Sequence, residues 1–148
     1  MATKTTWMLA AMALAATLAG CTGADDADRQ ALPDHCDLID ENRNHSRLVV
    51  FDCADSPRAG STVQMIIDEC SLEGGATFTA QVTSIQSGNA TYDIKDAGGF
   101  KIFEGDLSMD HHSDGMHLPA SPGFTVTFRF SDDYESVNFN ANLSCPRA

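Results

Sequence analysis

The chain has 148 residues, with 21 Asp and Glu against 9 Lys and Arg and a formal net charge of −12. Nucleic-acid binding needs cationic side chains to displace counterions from phosphates, so a surface this acidic excludes nucleic acid as a partner. At 43% hydrophobic residues the composition is that of a chain able to fold around a core.

The N-terminus reads MATKTTWMLAAMALAATLAGC: one positive charge at Lys4, then an uncharged apolar stretch from Trp7 to Leu18. That stretch is shorter than the ~20 residues a spanning helix needs and has the layout of an export signal. It ends on Leu18-Ala19-Gly20-Cys21, which resembles the lipobox of bacterial lipoproteins: a branched apolar residue, two small ones and a cysteine. The resemblance implies cleavage after Gly20 and a diacylglyceryl group on the sulfur of Cys21. Two acyl chains suffice for stable membrane attachment where one does not. It also implies residence in a bacterial envelope, facing the periplasm or the cell surface. Thr22, in place of an Asp after the cysteine, points to the outer rather than the inner membrane. An ordinary secretory signal with Cys21 as a structural thiol is the alternative. Residues 22–148 resemble no known family.

Cysteine counting agrees with the lipobox. Five cysteines leave one unpaired in an oxidising compartment, and assigning Cys21 to lipid leaves Cys36, Cys53, Cys70 and Cys145 for two disulfides. Three connectivities are open. Cys36–Cys53 with Cys70–Cys145 is preferred, because the first closes a short loop and the second ties down the C-terminal strand. No C-x-x-C is present to suggest a redox pair or a zinc knuckle.

Loss of residues 1–20 removes only Lys4 among charged side chains, leaving 8 basic against 21 acidic groups. Residues 21–34 read as the lipidated cysteine and an acidic tether, in which Asp25, Asp26 and Asp28 are a solvated spacer rather than a calcium site. Residues 35–148 form one domain. Leu48–Cys53 is an apolar run. Residues 62–71 are ambiguous: Ser61 and Gln64 fit a helix capping box, and Val63, Ile66, Ile67 and Cys70 fall at helical spacing, but adjacent β-branched Ile66 and Ile67 favour a strand. Thr77–Ile85 alternates, Ser87-Gly88-Asn89 turns the chain into Thr91–Lys95, and Asp96-Ala97-Gly98-Gly99 turns it into Phe100–Phe103, extending toward Met109. Phe124–Phe130 places four apolar side chains on one face, and Val137–Cys145 alternates in the same way after a polar turn. These two runs are expected to pair as a hairpin, with Cys145 directed into the core. The predicted fold is all-β: a single antiparallel sandwich or barrel-like domain with two disulfides, with one short helix near 62–71 as an option.

No G-x-S-x-G, S-x-x-K, H-E-x-x-H or phosphate loop occurs, so the chain is expected to be non-catalytic. A hydrolase site built from dispersed carboxylates and histidines is a weaker third reading. The most ligand-like stretch is MDHHSDGMH. Thioether and imidazole ligands in Met109, His111, His112, Met116 and His117 suit copper, and the histidines with Asp110 or Asp114 suit zinc. Against a metal, adjacent His111 and His112 point to opposite sides of an extended strand, and the stretch runs on through Pro119–Gly123 as a long exposed loop. The calcium template fails at His112 and Ser121. His35 and His45 read as surface residues. The favoured function is a lipid-anchored, non-catalytic binding or structural domain that meets the membrane through Cys21 and an envelope protein through a sheet edge or loop. Copper or zinc binding by residues 109–117 is the alternative.

Overall fold

A computed structural model describes residues 32–33 and 35–148. The signal segment, Cys21 and nearly all of the tether lie outside the described residues. Among those described there is no helix.

Eleven strands follow one another among the described residues: β1 (Cys36–Asn42), β2 (Ser46–Cys53), β3 (Thr62–Ile67), β4 (Ala76–Gln81), β5 (Ser84–Ser87), β6 (Ala90–Asp96), β7 (Lys101–Leu107), β8 (Ser113–Leu118), β9 (Phe124–Phe130), β10 (Glu135–Val137) and β11 (Phe139–Pro146). They pair antiparallel into a five-stranded sheet, β1-β2-β11-β4-β8, and a four-stranded sheet, β3-β9-β6-β7, with β5 and β10 as a small ribbon. The period-2 pattern accounts for the strands, since most of them, as in β3, β4 and β11, bury one face and leave the other toward water. The core fills the space between the sheets with rings from both. Phe51 and Phe139 of the larger sheet meet Phe128 of the smaller one at 6.3 and 5.2 Å, and Phe78 meets Tyr92 at 5.2 Å.

The preferred disulfides form. Cys36–Cys53 staples β1 to β2, and Cys70–Cys145 joins the segment after β3 to the end of β11, with all four cysteines buried. Cys145 shares the inward face of Leu143 and Ala141, as the alternation predicted.

Three expectations need correction. The optional helix near 62–71 is strand β3, in which Val63, Met65 and Ile67 are buried while Ile66 stays 57% exposed. Helical spacing would have turned Ile66 inward, but period-2 pairing with β9 satisfies the backbone and suits the β-branched side chains.

The expected hairpin of Phe124–Phe130 with Val137–Cys145 does not form, because β9 and β11 lie in opposite sheets. After Phe130 the chain turns at Ser131–Tyr134, pairs Glu135–Val137 with β5, and bends at Asn138, where φ is +50°. It therefore arches from one sheet to the other, and Phe130 meets Phe139 face to edge across the core at 5.2 Å and 81°. Two strongly apolar faces bury more surface against each other than side by side.

The third correction concerns the long loop around residues 109–117. Ser113–Leu118 is strand β8, paired with β4 from Gln81↔Ser113 to Ala76↔Leu118.

Candidate functional site

The Met/His stretch turns a corner of the sandwich. Ser108 and His111 exchange backbone hydrogen bonds of 2.9 and 3.1 Å, leaving Met109 and Asp110 as a two-residue turn. This turn carries the chain from β7, at the edge of the smaller sheet, to β8, at the edge of the larger one. Along β8 the side chains of Asp114, Met116 and Leu118 are increasingly shielded, while Ser113, Gly115 and His117 face water.

That geometry disperses most of the predicted ligands. Met109 is 59% exposed at the tip of the turn, and His112 is exposed. Met116 and His117 are consecutive on a strand and point to opposite faces. On the outer face, His117 Nδ1 lies 3.5 Å from Thr77 Oγ1. His111 alone finds a close partner, its Nε2 meeting one carboxylate oxygen of Asp114. Among the described residues no group of three or more His, Cys, Asp or Glu side chains converges in a way that would hold a metal ion.

The other oxygen of Asp114 accepts a hydrogen bond from the Tyr92 hydroxyl at 2.5 Å. Tyr92 belongs to β6, with its ring buried between Phe78, Phe128 and Phe103. Its hydroxyl reaches Asp114 because the residue paired with it on β7 is Gly105, where an added Cβ would stand 2.6 Å from the hydroxyl oxygen. Burial, reinforced by the hydrogen bond to Asp114 and by the charges of Asp114 and Asp106, holds the Tyr92 proton well above the usual phenol range. The chain His111–Asp114–Tyr92 thus links the edge of one sheet to the interior of the other. A phenol that keeps its proton so firmly is a hydrogen-bond donor at neutral pH. The sequence reading missed Tyr92. Two signals pointed to it: an inward-facing Tyr must seat its hydroxyl on a partner, and a Gly inside a strand marks a close approach.

Two open grooves lie on the outer faces. One, of about 630 Å³, runs over β6, β7 and β9 beside the Asp93–Arg129 and Lys101–Glu104 ion pairs. The other, of about 640 Å³, is lined by Asp52, Gln81, Thr83, Asn138 and Asn140. Beyond Asp52, the latter opens onto an uncharged patch. Across β11, β4 and β8 the outer face carries Asn140, Gln81 and Ser113, then Asn142, Thr79 and Gly115, then Ser144, Thr77 and His117. In a chain of net charge −12, these positions carry no formal charge with histidine neutral.

Fold and site together define a disulfide-bonded antiparallel β sandwich with open polar surfaces. No protein-family model and no curated protein matches the chain. Among solved structures it is similar to the disulfide-linked pili of Bacillus endospore appendages, at 13% identity and a TM-score of 0.42 over 76% of this chain and 91% of that one. It is also similar to Aeromonas hydrophila PliG, a periplasmic inhibitor of g-type lysozyme, at 17% identity and a TM-score of 0.41 over 72% of this chain and 91% of that one. The Yersinia pseudotuberculosis-derived mitogen gives 13% identity and a TM-score of 0.46 over 66% of this chain and 85% of that one. With each score below 0.5, nothing about ligand, partner or activity is carried from these proteins to this chain.

Proposed function

We propose that this chain is an exported bacterial lipoprotein, anchored through Cys21, whose β sandwich serves as a non-catalytic binding module in the cell envelope. The observation that carries this reading is the use of cysteine. Cys36, Cys53, Cys70 and Cys145 are all consumed in two buried disulfides, so the fifth cysteine is the one in the lipobox position. Disulfides of this kind persist in oxidising compartments, which fits export. The binding role draws support from the uncharged outer patch formed by β11, β4 and β8 and from the exposed strand edges, where an envelope protein finds main-chain groups to pair with. Thr22 after the cysteine favours the outer membrane.

The test is expression of the full chain and of Cys21→Ser in a Gram-negative host, followed by membrane fractionation and intact-mass measurement. The wild type should sediment with membranes and carry the mass of a diacylglyceryl group. The variant should be free of both. A variant that still partitions with membranes, or a wild type without added mass, overturns the anchor.

A further inference from the structure

The two sheets are unequal, and the extra strand is β1. Its partner β2 buries Arg47, Val49, Phe51 and Cys53 against the smaller sheet, with β2 lying against β3. The register places Leu38 opposite Phe51 and Asp40 opposite Val49, so Leu38 and Asp40 share the inward face of β2. Yet Leu38 is 44% exposed, and every residue of β1 after Cys36 is exposed. Strand β1 therefore overhangs the smaller sheet with nothing opposite it among the described residues.

Below the overhang runs the free edge of β3. Ser61 accepts a hydrogen bond from the Phe130 amide, which makes that pair a hydrogen-bonded one. Antiparallel pairs alternate, so Val63, Met65 and Ile67 point their main-chain groups at β9, and Thr62, Gln64 and Ile66 point theirs away from it. Among the described residues no backbone hydrogen bond outside the sheet ladder reaches these three. The edge TVQMII has no charge, proline or bulge, the devices that usually blunt an edge.

We infer that the lane beside β3 and beneath β1 receives one added strand, an extended peptide of a partner protein with apolar residues facing Leu38 and a basic residue at one end. This rests on the binding-module reading and names its surface. Neighbouring strands lie about 4.8 Å apart, so an overhang of one strand leaves a lane one strand wide. A second copy does not fit by its own β3, because its β2 lies across from that strand and would collide with β1. The chain's own tether suits the lane poorly, since Asp25, Asp26 and Asp28 would meet further acid. At the far end Arg47 is held by Asp40, Asp68 and Glu69 at 2.9, 2.9 and 3.0 Å, three carboxylates to one guanidinium. Those carboxylates are 56, 73 and 61% exposed, so a Lys or Arg of the added strand has acceptors waiting.

The test uses the full chain purified with its anchor in detergent and labelled synthetic peptides of about seven residues. Alternating valine and threonine ending in two lysines is made in both chain directions, with a two-glutamate version as control. Binding is read by fluorescence anisotropy and by amide hydrogen exchange. Saturation with the lysine peptide should slow exchange at Thr62, Gln64 and Ile66 by at least about tenfold, and the glutamate peptide should bind about tenfold more weakly. Gln64→Pro removes a free-edge N–H without breaking the β9 ladder, and Leu38→Glu alters the roof without touching β3. Each should weaken binding by about tenfold or more while near-ultraviolet circular dichroism stays native.

No binding at all, protection confined to β8 or to the outer edge of β1, or affinity unchanged in Leu38→Glu would each overturn the lane. So would a dimer of the unliganded protein that Gln64→Pro abolishes. Protection elsewhere would leave the binding-module reading standing, and the anchor is judged separately by Cys21→Ser.

Discussion

The two disulfides should differ in worth, and their loop lengths say by how much. Cys36–Cys53 closes 17 residues of sequence and Cys70–Cys145 closes 75. In the chain-entropy treatment the first stabilises by about 3.1 kcal/mol and the second by about 4.5 kcal/mol at 25 °C. All four cysteines are buried to a similar degree, so paired replacement by alanine leaves comparable packing losses at both places. The difference, about 1.3 kcal/mol, is then the firmer quantity, because it depends only on the ratio of loop lengths. Topology widens it. With Cys36–Cys53 gone, the exposed strand β1 can fray without unfolding the rest, and part of the entropic loss bypasses the global transition. Urea unfolding followed by far-ultraviolet circular dichroism measures this for Cys36→Ala/Cys53→Ala and Cys70→Ala/Cys145→Ala, both in a Cys21→Ser background to prevent mispairing. The reasoning fails if removing Cys36–Cys53 costs as much as removing Cys70–Cys145, or more.

Gly105→Ala should cost about 1–3 kcal/mol, because its Cβ would stand 2.6 Å from the hydroxyl oxygen and 2.8 Å from Cζ of a ring that has no room to retreat. Combining it with Tyr92→Phe should recover part of that loss in a double-mutant cycle, and strict additivity would show that the Tyr92 hydroxyl is not what the methyl meets. Both tyrosines of the chain, Tyr92 and Tyr134, have their pKa raised, chiefly by burial. Below pH ~10 both states keep these protons and stability is independent of them; above it the unfolded chain ionises first, so stability falls by about 1.4 kcal/mol per pH unit for each tyrosine. Denaturant melts between pH 9 and 11 should show this decline, shallower in Tyr92→Phe, and an unchanged slope in that variant would contradict the assignment. Titration with Cu(I), Cu(II) and Zn(II) should give the same affinity for wild type and for His111→Ala/His112→Ala/His117→Ala, since no three His, Cys, Asp or Glu side chains converge among the described residues. A loss of about tenfold or more in the variant would favour the metal reading over this expectation.

Strands were legible in this sequence wherever alternation was strict, as in Phe124–Phe130 and Phe139–Cys145, because the pleat imposes a period of two whatever the partner; the break at Asn138, which cuts Val137 off from the second run, was not. Partners were not legible. A short polar connection suggested a hairpin, but the deciding quantity was the burial of two phenylalanine-rich faces against each other, which no local window contains. The preferred disulfide pairing did come through, helped by the inward parity of Cys145. Strand β8 was hidden because Gly115, Asp114 and the histidines lack β propensity, and pairing with β4 supplies what the sequence does not. Tyr92 and Asp114 are 22 positions apart, so their meeting depends on the turn at Ser108–His111 bringing two sheet edges together.

The staple at the start of β1 also sets how the domain bears load. A pull on the chain ahead of Cys36 would otherwise peel β1 from β2 one hydrogen bond at a time, beginning at the Cys36↔Cys53 pair. The covalent link sits at that first pair, so tension passes straight through sulfur into the end of β2, opposite Phe139 at the start of β11. The overhanging strand is thus removed from the path of force. A tug on the N-terminal side tests the middle of the five-stranded sheet, where Phe51 and Phe139 are fully buried, rather than its loosest edge.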